Sequence, residues 1–167
     1  MQKPRALRPG DRLAVVSPAS PFNRDEFNLG IEEIRRLGFE PVFDDTVFAR
    51  QRYVSGPPEL RAAAIRTAWR DPSIAGLIGV RGGYGSAQVL PLLDREEARR
   101  ACKPFIGYSD LTAVLTFLTL GCDLVAFHGP MLDRRLSRGA DGYDVDSFTR
   151  ALCRREPMGE LIPPGLE

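Results

Sequence analysis

Apolar positions change their period several times along the chain, and each change marks an element. Leu13-Ala14-Val15-Val16 is a continuous apolar run, as in a strand covered on both faces, and it ends in the turn-rich Ser17-Pro18-Ala19-Ser20-Pro21. Phe27, Ile31, Ile34 and Leu37 then recur at helical spacing, and Gly38 follows where a helix end favours glycine. Pro41-Val42-Phe43 predicts a short second strand. A helix runs from Pro57-Pro58 to about Trp69 and stops at Asp71-Pro72, because a proline pushes its predecessor out of the helical region. Ile74 to Val80 predicts a third strand, nearly all apolar apart from Gly76 and Gly79. After Arg81-Gly82-Gly83-Tyr84-Gly85-Ser86 come a short helix through Leu90 and Leu93 and a fourth strand, Phe105-Ile106-Gly107-Tyr108. Leu111, Val114, Leu115 and Leu118, joined by Ala113, Phe117 and Leu120, predict a helix apolar all round and therefore central. Leu124-Val125-Ala126-Phe127 predicts a fifth strand. Residues 133–147 read as a polar loop before a short helix around Ser147–Cys153.

Strands alternating with helices predict an α/β fold: a doubly wound, mostly parallel sheet with helices on both faces. Composition narrows the class without naming a function. The 167 residues, 43% hydrophobic and 27% charged, suit one folded domain rather than a disordered chain. The expected division is residues 1–160 as that domain and 161–167 as the start of a linker, from the Pro163-Pro164-Gly165 composition. A net charge of +1 leaves no global field to recruit nucleic acid. No apolar stretch predicts a membrane span and no secretory leader is visible, so the expected location is cytoplasmic. Cys102, Cys122 and Cys153 are widely spaced and lack any CxxC; with one histidine they make no zinc set, so no metal is expected.

In open parallel sheets, ligands bind beyond the carboxyl ends of the strands. Three segments fall there: Ser17–Pro21, Arg81–Ser86 and Gly107-Tyr108-Ser109-Asp110. The last has the layout of a strand–serine–helix turn, in which Gly107 permits a sharp bend beneath Ser109. The amide of Asp110 would then stand at a helix start, where N–H groups favour a developing oxyanion. The match to G-x-S-x-G is incomplete, since Leu111 holds the second glycine position, and helix capping by Ser109 or Asp110 is the competing reading. The three glycines of Arg81–Gly85 could present N–H groups as an anion nest or simply make a tight turn. A serine nucleophile needs a base. The one histidine, His128, follows the fifth strand, where a turn hydrogen bond is the plainer role.

These segments carry a resemblance. Pro9-Gly10-Asp11-Arg12 with Val16–Ser20, Arg81–Ser86, Lys103–Thr112 and His128-Gly129-Pro130-Met131 resemble, in order, the LD-carboxypeptidase family of serine peptidases (S66 type), which includes the microcin C immunity peptidases. The resemblance implies a flavodoxin-like nucleophile domain with Ser109 as nucleophile and the N–H groups of Asp110 and Gly83 as oxyanion hole. Arg81, Gly82 and Tyr84 would contact substrate. It implies a small peptide substrate, typically a murein tetrapeptide losing D-alanine in cell-wall recycling, or a peptide-nucleotide antibiotic in some relatives. No cofactor is implied, and partners would be a C-terminal domain supplying the triad's histidine and glutamate, and a second copy in a homodimer. It gives His128 no triad role, so this chain alone is expected to be inactive.

Overall fold

The computed structural model describes residues 1–159; the expected linker at 161–167 lies outside the described residues. Five parallel strands form one sheet in the order β2-β1-β3-β4-β5: β1 (Arg12–Val16), β2 (Glu40–Val42), β3 (Ile74–Gly79), β4 (Phe105–Gly107) and β5 (Phe127–His128). The chain winds outward from β1 to β2, returns past β1 to β3, and then proceeds the other way to β5. The reversal lies between β1 and β3, whose carboxyl ends therefore frame a crevice where α/β sheets bind ligands.

Alternation along the strands divides the core into two layers. Ala14, Val16, Leu77 and Phe105 pack with α2 (Pro58–Arg70), α3 (Arg95–Ala101) and α4 (Thr112–Thr116). Leu13, Val15, Ile78 and Ile106 pack on the other face against α1 (Arg24–Arg36) and α5 (Val145–Cys153). One register shift, with Arg12 opposite Ile74 but Leu13 opposite Gly76, leaves Ala75 as an extra residue on β3. The sheet is thus covered on both sides, as the near-continuous apolar strands predict.

Helix ends follow their local chemistry. Asn23 caps α1 by accepting the N–H groups of Asp25 and Glu26, and Pro58 opens α2 where its missing N–H costs nothing. At the end of α2, the Lys103 ammonium takes the carbonyls of Ala68 and Trp69, orphaned at the helix end, and that of Asp71, which also accepts the Ile74 N–H. Burial lowers the pKa of this lysine while Asp71 opposes the shift.

Four sequence expectations need correction. The fifth strand is Phe127–His128; Leu124 makes only a single bridge to Gln2, so the strand starts later than its apolar run. The helix expected to be apolar all round is a one-sided cover, with Leu120 84% exposed. It opens as a 3-10 turn over Ser109–Leu111 and ends as a π-helical turn over Phe117–Gly121. The expected helix through Leu90 and Leu93 is a 3-10 segment, Ser86–Leu92, because Pro91 inside it cannot continue α-helical bonding. The helix of that region is instead α3, capped by Asp94, whose charged surface hides its single buried residue, Ala98, from a periodicity count. Within the polar stretch 133–147, Leu136 is buried and residues Leu136–Asp141 form 3-10 turns.

Candidate active site

Loops from β1, β3 and β4 meet above the sheet's carboxyl edge. Ser20 after β1 donates its N–H to the Gly82 carbonyl at 3.2 Å, and its hydroxyl accepts the Tyr84 N–H at 3.0 Å. The loop Arg81–Gly85 is therefore fastened to the segment after β1. Gly83 has φ +99°, and a Cβ there would meet Ser20 Oγ at 2.5 Å, so the turn and the close approach both require glycine.

Ser109 follows β4 directly. Its φ is +58°, a left-handed conformation that costs a non-glycine residue about 1–2 kcal/mol. The side chain is exposed and Oγ has no hydrogen-bond partner among the described residues. Gly107 makes the bend possible, since a Cβ there would sit 2.8 Å from Leu111 Cδ2. The capping alternative does not hold in this geometry: Tyr108 occupies the N-cap position, and among the described residues neither Ser109 nor Asp110 caps the 3-10 turn with its side chain. The Asp110 carboxylate turns away from its own helix to accept the Ser86 N–H at 2.8 Å, and the buried Ser86 hydroxyl donates to the Asp110 carbonyl. These two bonds lock the residue after the serine to the start of the next loop.

Gly82 lies against this elbow. A Cβ on Gly82 would stand 3.0 Å from Ser109 Cβ, 3.1 Å from Ser109 Oγ and 3.2 Å from the Asp110 nitrogen. Among the described residues, neither the Asp110 N–H nor the Gly83 N–H has a hydrogen-bond acceptor. An exposed hydroxyl thus adjoins the free Asp110 N–H at a helix start, an arrangement suited to nucleophilic attack and oxyanion stabilisation. Tyr84 is exposed and meets Tyr53 edge-on, ring centroids 5.2 Å apart.

Three further residues shape the site, and sequence reasoning passed over them. Arg61 of α2 is 3% exposed and donates to the carbonyls of Pro18, Gly56 and Gly85 and to Gln88 Oε1, tying α2 to the loops after β1 and β3. The available signal was an arginine sharing the helix face of Ile65 and Ala68. Ser86 is the second. The third is Asp133, on the segment after β5, whose carboxylate takes Arg81 Nη1 at 2.9 Å. Burial pushes the Asp133 carboxyl above the usual carboxylate range while the arginine pulls it back. No local pattern in the sequence marks it.

His128 lies beside Gly107 in the β4–β5 pairing, exposed, with its ring 6.1 Å from that of Tyr108 and no bond to Ser109. Burial raises all three thiols, which disfavours thiolate chemistry. Among the described residues, no cluster of three or more metal-ligating side chains occurs, and no helix is long and apolar enough to cross a membrane.

Comparison with known proteins adds a lineage to this geometry. The family model for the LD-carboxypeptidase N-terminal domain matches residues 13–129. A Streptomyces coelicolor relative, named as a carboxypeptidase, is 37% identical over 133 residues, covering 77% of this chain and 43% of its own. A Bacillus subtilis relative, named as a murein peptide carboxypeptidase, is 29% identical over 174 residues, covering 96% of this chain and 53% of its own. Among solved structures, the microcin C7 self-immunity protein MccF in complex with aspartyl sulfamoyl adenosine superposes with a TM-score of 0.86 at 28% identity, over 92% of this chain and 48% of that one. The chain spans about half the length of the curated relatives it matches.

Proposed function

The chain belongs to the LD-carboxypeptidase family of serine peptidases, and from that premise we propose that it carries the nucleophile half of an enzyme that hydrolyses the terminal amide bond of murein tetrapeptides, releasing D-alanine. The observation that carries the proposal is Ser109 itself: exposed, held at φ +58°, free of any hydrogen-bond partner among the described residues, and flanked by Gly82 and the unoccupied Asp110 N–H.

The chemistry is acyl transfer. Ser109 Oγ attacks the scissile carbonyl and gives its proton to a base. The carbonyl oxygen becomes an oxyanion facing the N–H groups of Asp110 and Gly83. Collapse expels the amine of the departing residue, which takes the proton, and water then cleaves the ester to restore the serine. Arg81, Gly82 and Tyr84 line the substrate side. By the family resemblance the base is a histidine paired with a glutamate from a C-terminal domain; His128 stands against Tyr108 and makes no bond to Ser109. Residues 1–160 form the nucleophile domain and 161–167 lead to that second domain. A homodimer and a cytoplasmic location complete the reading, and the reaction uses no metal or cofactor.

The likeness to MccF bound to aspartyl sulfamoyl adenosine favours a second reading, the same chemistry on an aminoacyl-nucleotide amide. Both are tested together. A fluorophosphonate probe should label Ser109 in protein carrying the C-terminal domain, and not in Ser109→Ala. That protein should release D-alanine from the tetrapeptide faster than it cleaves an aminoacyl sulfamoyl nucleotide, while residues 1–167 alone release none. The opposite preference would select the nucleotide reading, and absence of labelling would leave a non-catalytic binding module.

A further inference from the structure

Arg81 presents an unusual division of its guanidinium. Nη1 is bound to Asp133 Oδ2 at 2.9 Å, while Nε and Nη2 have no partner among the described residues. The Asp133 side chain is 3% exposed and that of Arg81 is 29% exposed, so the carboxylate is interior and the arginine faces the crevice. Asp133 is itself fixed, since its N–H donates to the Val80 carbonyl at 3.0 Å, one residue before Arg81. Here one edge of the arginine is held from below and the other is left open. Nε and Nη2 form the flat side of the fork, the side that takes a carboxylate through two parallel hydrogen bonds.

The open edge lies near the reacting atoms. Arg81 Nε is 3.9 Å from the point a Cβ on Gly83 would occupy, and the corresponding point on Gly82 is 3.1 Å from Ser109 Oγ. In an extended peptide, successive residues are about 3.5 Å apart. The carboxylate of a C-terminal residue therefore lies one residue's reach beyond the scissile carbonyl, and the loop that lies against Ser109 is the one that carries the guanidinium. An internal peptide bond has no charge at that place.

We propose that Arg81 recognises the free carboxylate of the departing residue through its Nε–Nη2 edge, and that Asp133 is the positioning residue that fixes the guanidinium for this task. The inference rests on Ser109 being the nucleophile and adds the feature that makes the site act at chain ends: a ligand with a carboxylate one residue past the cleaved bond. Glu26 and Arg134 also act on Asp133 through space, with opposite signs, and do not replace its contact with Arg81.

The test separates binding from turnover. In a Ser109→Ala background, with the C-terminal domain present, calorimetry compares a murein tetrapeptide ending in a carboxylate with the same peptide ending in an amide. A charge-assisted bidentate contact predicts about 10- to 100-fold tighter binding of the acid. Arg81→Gln should bring the acid down to the amide's affinity. Arg81→Lys, which keeps the charge and loses the fork, should lose most of the preference. Asp133→Asn should cut the preference severalfold and, with Ser109 restored, raise KM for the acid more than it lowers kcat. A purely structural Asp133 would instead weaken acid and amide alike. Should Asp133→Asn fail to fold, the two Arg81 variants decide the matter. Equal affinity for acid and amide, or a preference that survives Arg81→Gln, overturns the inference. If the preference follows Arg81 but the active protein releases no D-alanine, the proposed function fails and the carboxylate site stands.

Discussion

Replacing Gly82 by alanine separates the stability of the fold from the reactivity of its elbow. Gly82 has ordinary negative-φ or extended backbone, so alanine there adds no left-handed strain and removes some freedom from the unfolded chain, worth about 0.4–1 kcal/mol. Against this, the new methyl stands 3.0–3.2 Å from Ser109 Cβ, Ser109 Oγ and the Asp110 nitrogen. Those atoms must give by a few tenths of an ångström, an overpacking cost of about 1 kcal/mol. The two terms nearly cancel, so Tm should move by no more than about 4 °C. Reactivity should not cancel. The methyl covers the space an oxyanion would need beside the Asp110 N–H, and loss of one such donor costs about 10²–10³ in rate. Fluorophosphonate labelling of Ser109, timed in protein with its base present, should slow by that factor while calorimetric Tm holds. Gly83→Ala is the contrast: φ +99° and a 2.5 Å approach to Ser20 Oγ should lower Tm as well as reactivity. Labelling of Gly82→Ala within twofold of wild type, at unchanged Tm, would show that Gly82 does not wall the elbow and would refute the geometry assigned to it.

Two further outcomes follow from the packing. Arg61→Met should lower stability by at least about 2 kcal/mol, because the buried carbonyls of Pro18 and Gly56 lose their donor at about 1–3 kcal/mol each while that of Gly85 keeps the Gln88 N–H; urea unfolding checks it, and a loss under about 1 kcal/mol would contradict the role. Glu97, held by Arg66 and Arg70, has its pKa lowered from 4.5 to about 2. A depressed carboxylate stabilises the fold above its unfolded pKa and loses that contribution as pH falls through the folded one. Stability should therefore decline between pH about 4.5 and about 2, and Glu97→Gln should flatten this limb in Tm measured against pH; an identical decline in both proteins would contradict it.

Much of this was legible from residue order. Each of β1, β3 and β4 is a mostly buried apolar run, followed by small residues after β1, by glycines after β3 and by Tyr108-Ser109 after β4, and those loops are the ones that meet above the sheet. The elbow was legible as well, because Gly107 and Ser109 are close in sequence and the bend is local. What was not legible involves partners far apart along the chain. Leu124 looks as strand-like as Phe127, but only Phe127 and His128 find Ile106 and Gly107 opposite them. Leu120 belongs to an apolar run, yet the sheet lies on the other side of its helix. Asp133 sits in a polar stretch that reads as surface loop, and its burial arises from the fold bringing it back beneath Arg81, 52 positions earlier.

Residue order alone sets the succession of the five strands and of α1 and α2, the parallel doubly wound class, the family resemblance, and the short motifs on which the chemistry depends. Those properties are set by neighbours within a few residues: side-chain period, glycine at a forced bend, proline at a helix start. Only the folded chain makes Ser109 free of hydrogen-bond partners among the described residues rather than a cap, locks Asp110 to Ser86, and turns Arg61 and Asp133 into interior charges holding the loops of the crevice. Burial and hydrogen-bond partnership are properties of residues that meet only after the chain has folded, and local period carries no record of them.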